Sequence, residues 1–279
     1  MANQVKGALS NEKLAFLGAG NMAEAIIKGL LVNKVIEAHQ IVASDTSEER
    51  RRYMRDTYGV EVLHDNVSLV DKADIIVLAV KPQVTQKVID EIGPYLGASK
   101  LTISIVAGVS ISTFAKGFKE GTRIIRTIPN TPVTVMEGAV AIASDSLAEA
   151  RDFEITETIF RSVARTVKIE EKLMDAATGL SGSGPAFMFV MIEALSDGGV
   201  NVGLPRDVAQ ILSAQTMLGA AKLFLESGLN PGKLKDMVTS PGGTTIAGLH
   251  QMELGGVRAA LMNAVEAATN RSKALGKIS

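Results

Sequence analysis

Cysteine is absent from the 279 residues. That excludes disulfides, a thiolate nucleophile and Cys-ligated metals, although it leaves the compartment undecided. Histidine is nearly absent. His39, His64 and His250 lie far apart and none falls in a ligand-spaced cluster, so no metal is expected. Charge of one sign is lacking too: Lys plus Arg number 29 against 30 for Asp plus Glu. Only the short "EERRR" at 48–52 concentrates basic residues, so no nucleic-acid partner is expected. Although 46% of residues are hydrophobic, no uninterrupted apolar run approaches the roughly 18 residues a membrane span needs. The opening "MANQVKGALSNEKLAFLGAG" has no basic flank, apolar core and small-residue cleavage site in succession. The expectation is a globular, cytoplasmic protein of one large or two ordinary domains, with no membrane partner.

What is present begins with "KLAFLGAGNMAEAIIKGLL" at 13–31, a short apolar strand, a glycine turn, and a helix with Ala23, Ile26, Ile27 and Leu30 on one face. This is the strand-turn-helix form of a dinucleotide fingerprint. Gly18 turns the chain, Gly20 lets backbone approach a pyrophosphate, and Asn21 and Met22 open a helix whose N-terminus offers free N–H groups. Ala23 takes the third fingerprint position. Taken alone, the glycine pattern also fits an ordinary tight turn between strand and helix. The context supports the nucleotide: "QIVASD" at 40–45, "DIIVLAVKP" at 74–82 and "LTISIVAG" at 101–108 read as further strands. Helical stretches lie between them, and "RIIRTIPNTP" at 123–132 and "GAVAIAS" at 138–144 add strand-like pieces. The fold class expected is α/β, a Rossmann-type doubly wound, mostly parallel sheet over 1–170, followed by an all-α domain over 171–279.

The end of the second strand carries the choice of cofactor. An acidic residue there favours the free ribose hydroxyl of NAD, whereas small hydroxyls and arginines favour the 2′-phosphate of NADP. Asp45 is present, but Ser44, Thr46 and Ser47 surround it and Arg50, Arg51 and Arg52 follow. NADPH is the favoured cofactor, with NADH as a weaker substitute. Ser44 and Arg51 are the candidate phosphate contacts. A solvated helix face, interleaved with Glu48 and Glu49, is the competing account of the arginines.

From about Glu171 the strand signals stop. "PAFMFVMIEALSDGG" at 185–199, "PRDVAQILSAQTMLGAAKLFLESG" at 205–228 and "GGVRAALMNAVEAATNRSKALG" at 255–276 read as helices. The first is apolar on nearly every side over two turns, more than a domain of roughly a hundred residues can surround. Another subunit is therefore expected to cover it, as an intertwined dimer. Met188, Met191, Met217 and Met262 read as gap-filling core.

Near the end, "TSPGGTT" at 239–245 leads into "IAGLHQMEL". A Pro-Gly-Gly turn running into a helix presents unpaired N–H groups, and its two glycines let a small anion approach them. Ser240 adds a hydroxyl donor, and Thr244 can cap or donate. An ordinary helix-capping turn is the competing account.

Together these pieces resemble pyrroline-5-carboxylate reductase, over nearly the whole chain and with a look closest to the plant enzymes. The resemblance rests on "FLGAGNMAEAI", "AVKP" at 79–82, "IPNTP" at 128–132, "GLSGSGPAF" at 179–187, "DGGVNVGLPRDVA" at 197–209 and, most specifically, "VTSPGGTTIAGLHQMELGGVRAALMNAVEAA" at 238–268. It implies reduction of 1-pyrroline-5-carboxylate to L-proline by hydride transfer to a C=N bond. It places Ala79, Val80, Lys81, Pro82 and Ala107 on the nicotinamide side of NADPH and Asn66 on the adenosine side. It sets the cyclic imine against Ser240, Gly242, Gly243, Thr244 and Thr245, with Thr245 on the imine nitrogen. It further implies a homo-oligomer built from dimers, a decamer in similar enzymes. Thr245 is no strong acid, so its expected role is to polarise, position or relay a proton. In hydroxyacid dehydrogenases of similar layout a catalytic Lys and Asn follow the second glycine-rich stretch. Met188 and Ile192 stand in those places here, which disfavours alcohol oxidation. Two alternatives remain: reduction of another small imine or oxo acid, and a nucleotide-sensing protein without turnover.

Overall fold

The computed structural model describes residues 9–276. Packing divides them into one unit running through residue 182 and rejoined from residue 268, and a second unit of residues 183–267. The first unit is built on an eight-stranded sheet of order β3-β2-β1-β4-β5-β6-β7-β8. Its strands are β1 Leu14–Leu17, β2 Ile41–Ser44, β3 Glu61–Leu63, β4 Ile75–Leu78, β5 Leu101–Ser104, β6 Arg123–Pro129, β7 Gly138–Ser144 and β8 Ala164–Lys168. All neighbouring pairs are parallel except β6 with β7. Of these, β3 and β8 are not visible in the apolar pattern.

Both faces of the sheet are covered. Leu14 and Phe16 of β1 enter one apolar cluster with Ile26, Ile27 and Leu30, whereas Ala15 and Leu17 enter another with Leu69, Ile89 and Phe114. Successive residues of a strand point to opposite faces, so a strand buried on both sides must be apolar throughout, as LAFL is. The covering helices are α1 Asn21–Val32, α2 Glu48–Tyr58, α3 Asn66–Asp71, α4 Thr85–Ile92, α5 Ile111–Gly117 and α6 Ala150–Arg161. The strand order reverses between β1 and β4, and doubly wound sheets take ligands at the carboxyl ends of strands at such a point.

The packing boundary falls later than residue 171. A short helix, α7 Met174–Ala177, and a π-helical turn at Thr178–Gly182 stay with the sheet, because Met174 is fully buried against Ile128, Ala141 and Ala143. The second unit holds α8 Gly184–Asn201, α9 Arg206–Ser227, α10 Pro231–Met237, α11 Thr244–Leu254 and most of α12 Val257–Gly276. The last turns of α12 return to the first unit, where the Ser272 hydroxyl donates to Asp175 Oδ1 at 2.6 Å.

The apolar helices are not buried within one chain. Phe189 and Val190 of α8 are 65% and 66% exposed and Met262 of α12 is 71% exposed, so methionines read as core packing are, at Met188 and Met262, surface in the single chain. α9 is long and apolar enough by composition to cross a membrane, and only 11% of its most apolar window is buried within the single chain. Gln210, Ser213, Gln215 and Thr216 interrupt it, which is why no continuous apolar run is visible.

Candidate active site

At the end of β1 the chain turns through Gly18 at φ +93°, a conformation open to glycine and costly for other residues. A Cβ there would also lie 2.7 Å from the Ala79 carbonyl oxygen at the end of β4. The turn is stitched to both flanking strands: Gly18 N–H donates to Ser44 O at 3.0 Å, and Ala79 N–H to Leu17 O at 2.8 Å. Gly20 is the N-cap of α1, with no side chain capping it, and an added Cβ would meet nothing within 4 Å. Open space before uncapped helix N–H groups suits a pyrophosphate, so the residues fit a dinucleotide. Asn21 is exposed beside this opening, while Met22 packs against the core.

The ribose end departs from expectation. Asp45 is engaged by the backbone, its Oδ2 accepting from Ala19 N–H at 3.2 Å and its Oδ1 from Ser47 N–H at 2.9 Å. Arg51 holds the carbonyls of Asp45 and Thr46 through Nη1 at 2.8 and 3.0 Å. Ser44 is buried and donates to Asn66 Oδ1 at 2.7 Å, and Asn66 Nδ2 donates to Glu91 at 2.9 Å. Ser44, Asn66 and Glu91 thus form one chain of hydrogen bonds that runs from buried Ser44 to half-buried Glu91.

Arg50, which the sequence does not distinguish from its neighbours, folds back on the glycine turn. Its Nε donates to Ala19 O at 2.5 Å, Nη2 pairs with Glu24, and its guanidinium lies 5.0 Å from the Tyr53 ring centroid. Glu24 Oε1 accepts from the hydroxyls of Tyr53 and Tyr58 at 2.9 and 2.7 Å. Burial opposes ionisation of Glu24, but the donors Tyr58, Arg50 and Tyr53 outweigh it and hold the carboxyl below its ordinary value. Burial, then the Glu24 carboxylate, pushes the Tyr58 hydroxyl upward. Of the arginines, only Arg52 behaves as a solvated helix face, in an exposed pair with Glu48.

Ala79 and Val80 are half-buried at the end of β4, and Lys81 and Pro82 begin an exposed 3₁₀ turn, Pro82–Val84. Ala107 is exposed in the loop after β5. Both segments lie at carboxyl ends of strands, the edge at which the glycine turn also sits.

In the second unit, the TSPGGTT segment forms the entrance to α11. Gly242 sits at φ +68° and Gly243 is the N-cap, its N–H donating to Ser240 O at 3.1 Å. No side chain caps this helix, so Thr244, at the first helical position, does not take the capping role open to it. Helix geometry leaves the first-turn N–H groups without intrahelical acceptors. The Ser240 hydroxyl lies over Gly243, 2.3 Å from where a Cβ would stand. Ser240 and Thr244 are exposed and Thr245 half-buried. The mouth therefore combines backbone donors and hydroxyls without a charged side chain, a setting for a small carboxylate.

Two of the glycines of GLSGSGPAF, Gly182 and Gly184, are not demanded by packing within the chain, while Gly179 is buried. A Cβ at Gly182 would make ordinary contact at 3.6 Å, and one at Gly184 would meet nothing within 4 Å. Among the described residues no group of three or more His, Asp or Glu lies together as a metal site would require.

Comparison with known proteins bears on both units. Residues 13–108 match the model of NADP oxidoreductases, coenzyme F420-dependent, and residues 171–275 that of pyrroline-5-carboxylate reductase dimerisation. The chain is 47% identical to a pyrroline-5-carboxylate reductase of Methanosarcina acetivorans, over 96% of this chain and all of that one. With that of Arabidopsis thaliana it shares 43% identity over 95% of this chain and 96% of that one. The solved reductase from Coxiella burnetii superposes with a TM-score of 0.90 at 34% identity, over 95% of this chain and 98% of that one. The Plasmodium falciparum pyrroline carboxylate reductase, solved with NADP bound, gives 0.85 at 36%, over 95% and 98%. With these relatives matching end to end, the chain belongs to the pyrroline-5-carboxylate reductase family of NAD(P)H-dependent oxidoreductases.

Proposed function

We propose that this chain reduces the C=N bond of 1-pyrroline-5-carboxylate to give L-proline, with the glycine turn after β1 holding NADPH and the mouth of α11 holding the imine. Bound reduced nicotinamide supplies the hydride that the ring carbon gains, and the ring nitrogen gains a proton. Gly18, Gly20, Asn21 and Met22 shape the pyrophosphate site. Ser44, Arg51 and Asn66 form the adenosine side, Arg51 offering the 2′-phosphate what remains of its guanidinium. Ala79, Val80, Lys81, Pro82 and Ala107 border the nicotinamide.

The observation that carries the substrate assignment is the entrance to α11, where Gly243 is the N-cap, no side chain closes the helix, and the Ser240 hydroxyl lies over Gly243. N–H groups of Gly242 and Thr244, with the Ser240 hydroxyl, hold the carboxylate, and Gly243 leaves room for it to approach. Thr245 donates to the imine nitrogen, where negative charge would otherwise grow as hydride arrives. Backbone donors place no fixed positive charge in the pocket to oppose the proton that the ring nitrogen takes up. Thr245 thereby polarises and orients the nitrogen, the proton itself coming from water.

The exposed apolar faces of α8 and α9, within the segment matching a dimerisation model, support a homo-oligomer built from intertwined dimers. Oxidation of NADPH and of NADH, followed by absorbance with pyrroline-5-carboxylate saturating and then omitted, tests the activity. Substrate-dependent loss faster with NADPH is expected. No turnover in protein shown to bind the cofactor would refute it in favour of another imine or a non-catalytic role.

A further inference from the structure

Ala19, the residue between the two glycines of the turn, is held by side chains at both its peptide groups. Asp45 Oδ2 accepts from its N–H at 3.2 Å, and Arg50 Nε donates to its carbonyl at 2.5 Å. Both side chains belong to the segment after β2, so the loop expected to choose between NAD and NADP also fixes the turn that holds the pyrophosphate. Arg50 is in turn immobilised: Nη2 is spent on Glu24 of α1, the Tyr53 ring lies beneath the guanidinium, and Glu24 is anchored by two tyrosine hydroxyls of α2. Both side chains of the Arg50–Glu24 pair are mostly buried, at 22% and 19% exposure.

We infer that Arg50 and Asp45 are positioning residues that lock the Ala19 peptide and so aim the N–H groups of Gly20 and Asn21, and that neither is a selector of the 2′-phosphate. A planar guanidinium that has committed two nitrogens to a carbonyl and a carboxylate has lost the fork with which arginine grips a phosphate. A carboxylate already accepting from two backbone N–H groups is likewise poorly placed to capture a ribose diol. Discrimination falls to Arg51, which commits only Nη1 to backbone carbonyls, and preorganisation to Arg50, Asp45 and Glu24.

The inference rests on the glycine turn being the pyrophosphate site, and the test separates the two. Calorimetric binding of NADPH and of NADH is measured on the native oligomer of the wild type, Gly20→Val, Arg50→Lys and Glu24→Gln, with circular dichroism confirming the fold. Gly20→Val, which fills the open space, abolishes binding of both. Arg50→Lys weakens NADPH and NADH by the same factor, about tenfold, and Glu24→Gln, in which the anchor of Arg50 loses its charge, weakens both equally and less, about threefold. Arg51→Gln weakens NADPH alone. Loss confined to NADPH in Arg50→Lys would make Arg50 a direct phosphate ligand and overturn the inference, as would unchanged binding in both Arg50→Lys and Glu24→Gln. Unchanged binding in Gly20→Val would overturn the site itself. Should Arg50→Lys fail to fold, Glu24→Gln carries the same comparison.

Discussion

Thr245 is half-buried at the second position of α11, beside first-turn N–H groups that no side chain caps. A donor that meets charge developing on a reacting nitrogen contributes more in the transition state than in the bound substrate. Thr245→Ala should therefore lower kcat by about 100-fold, or roughly 3 kcal/mol, while NADPH affinity stays as it was. An unchanged kcat would remove Thr245 from the reaction. Gly243 makes a different demand. A methyl group there meets the Ser240 hydroxyl at 2.3 Å, so Ser240 must swing away. Gly243→Ala is expected to raise KM for the imine by about tenfold, about 1.4 kcal/mol of lost binding, with a smaller effect on kcat. A KM equal to the wild type's would show that the Ser240 hydroxyl does not touch the substrate.

Helices α1 and α2 are joined by polar contacts as well as by apolar packing, and the joint has a pH dependence. Glu24 is held below its ordinary carboxyl value of 4.5, so the folded state favours its ionised form. Its contribution is complete above 4.5 and is lost as pH falls through the depressed value. Tyr58, raised from 10.0, contributes below pH 10.0 and progressively less above it. Thermal denaturation across pH should show Glu24→Gln less stable than the wild type at neutral pH, with the two curves converging in acid. A constant gap down to pH 3 would mean the carboxylate is not the linking charge. Tyr58→Phe should lose less stability than the wild type between neutral pH and pH 11.

At this scale the sequence is also most readable. Continuous apolar segments such as LAFL and IIVL announce strands buried on both faces, and the glycines, Pro185 and Gly228 bracket the helices. What stays hidden has local causes. β3 has three residues, of which only Val62 is buried, and β8 is an edge strand carrying Arg165 and Lys168, a pattern that reads as a loop. The α11 mouth is legible because glycine, proline and hydroxyl residues sit together in the chain. The Arg50 clamp is not, because Ala19, Glu24, Arg50 and Tyr58 become neighbours only when two helices pack on one sheet edge.

The molecule as a whole carries more apolar surface than a single chain can bury. Phe189, Val190, Ile211 and Leu212 are each more than half exposed along α8 and α9. Val190→Asp should shift native mass and light scattering toward the monomer at low micromolar concentration while helical circular dichroism persists. A wild-type chain already monomeric under those conditions would dismiss the buried-helix account. The return of α12 to the first unit has a further consequence. Ser272 meets Asp175 only after the whole intervening helical segment has been made, so the closure joins residues nearly a hundred positions apart. A chain cut before residue 268 would therefore keep every strand of the sheet and lose the hydroxyl that Asp175 accepts from.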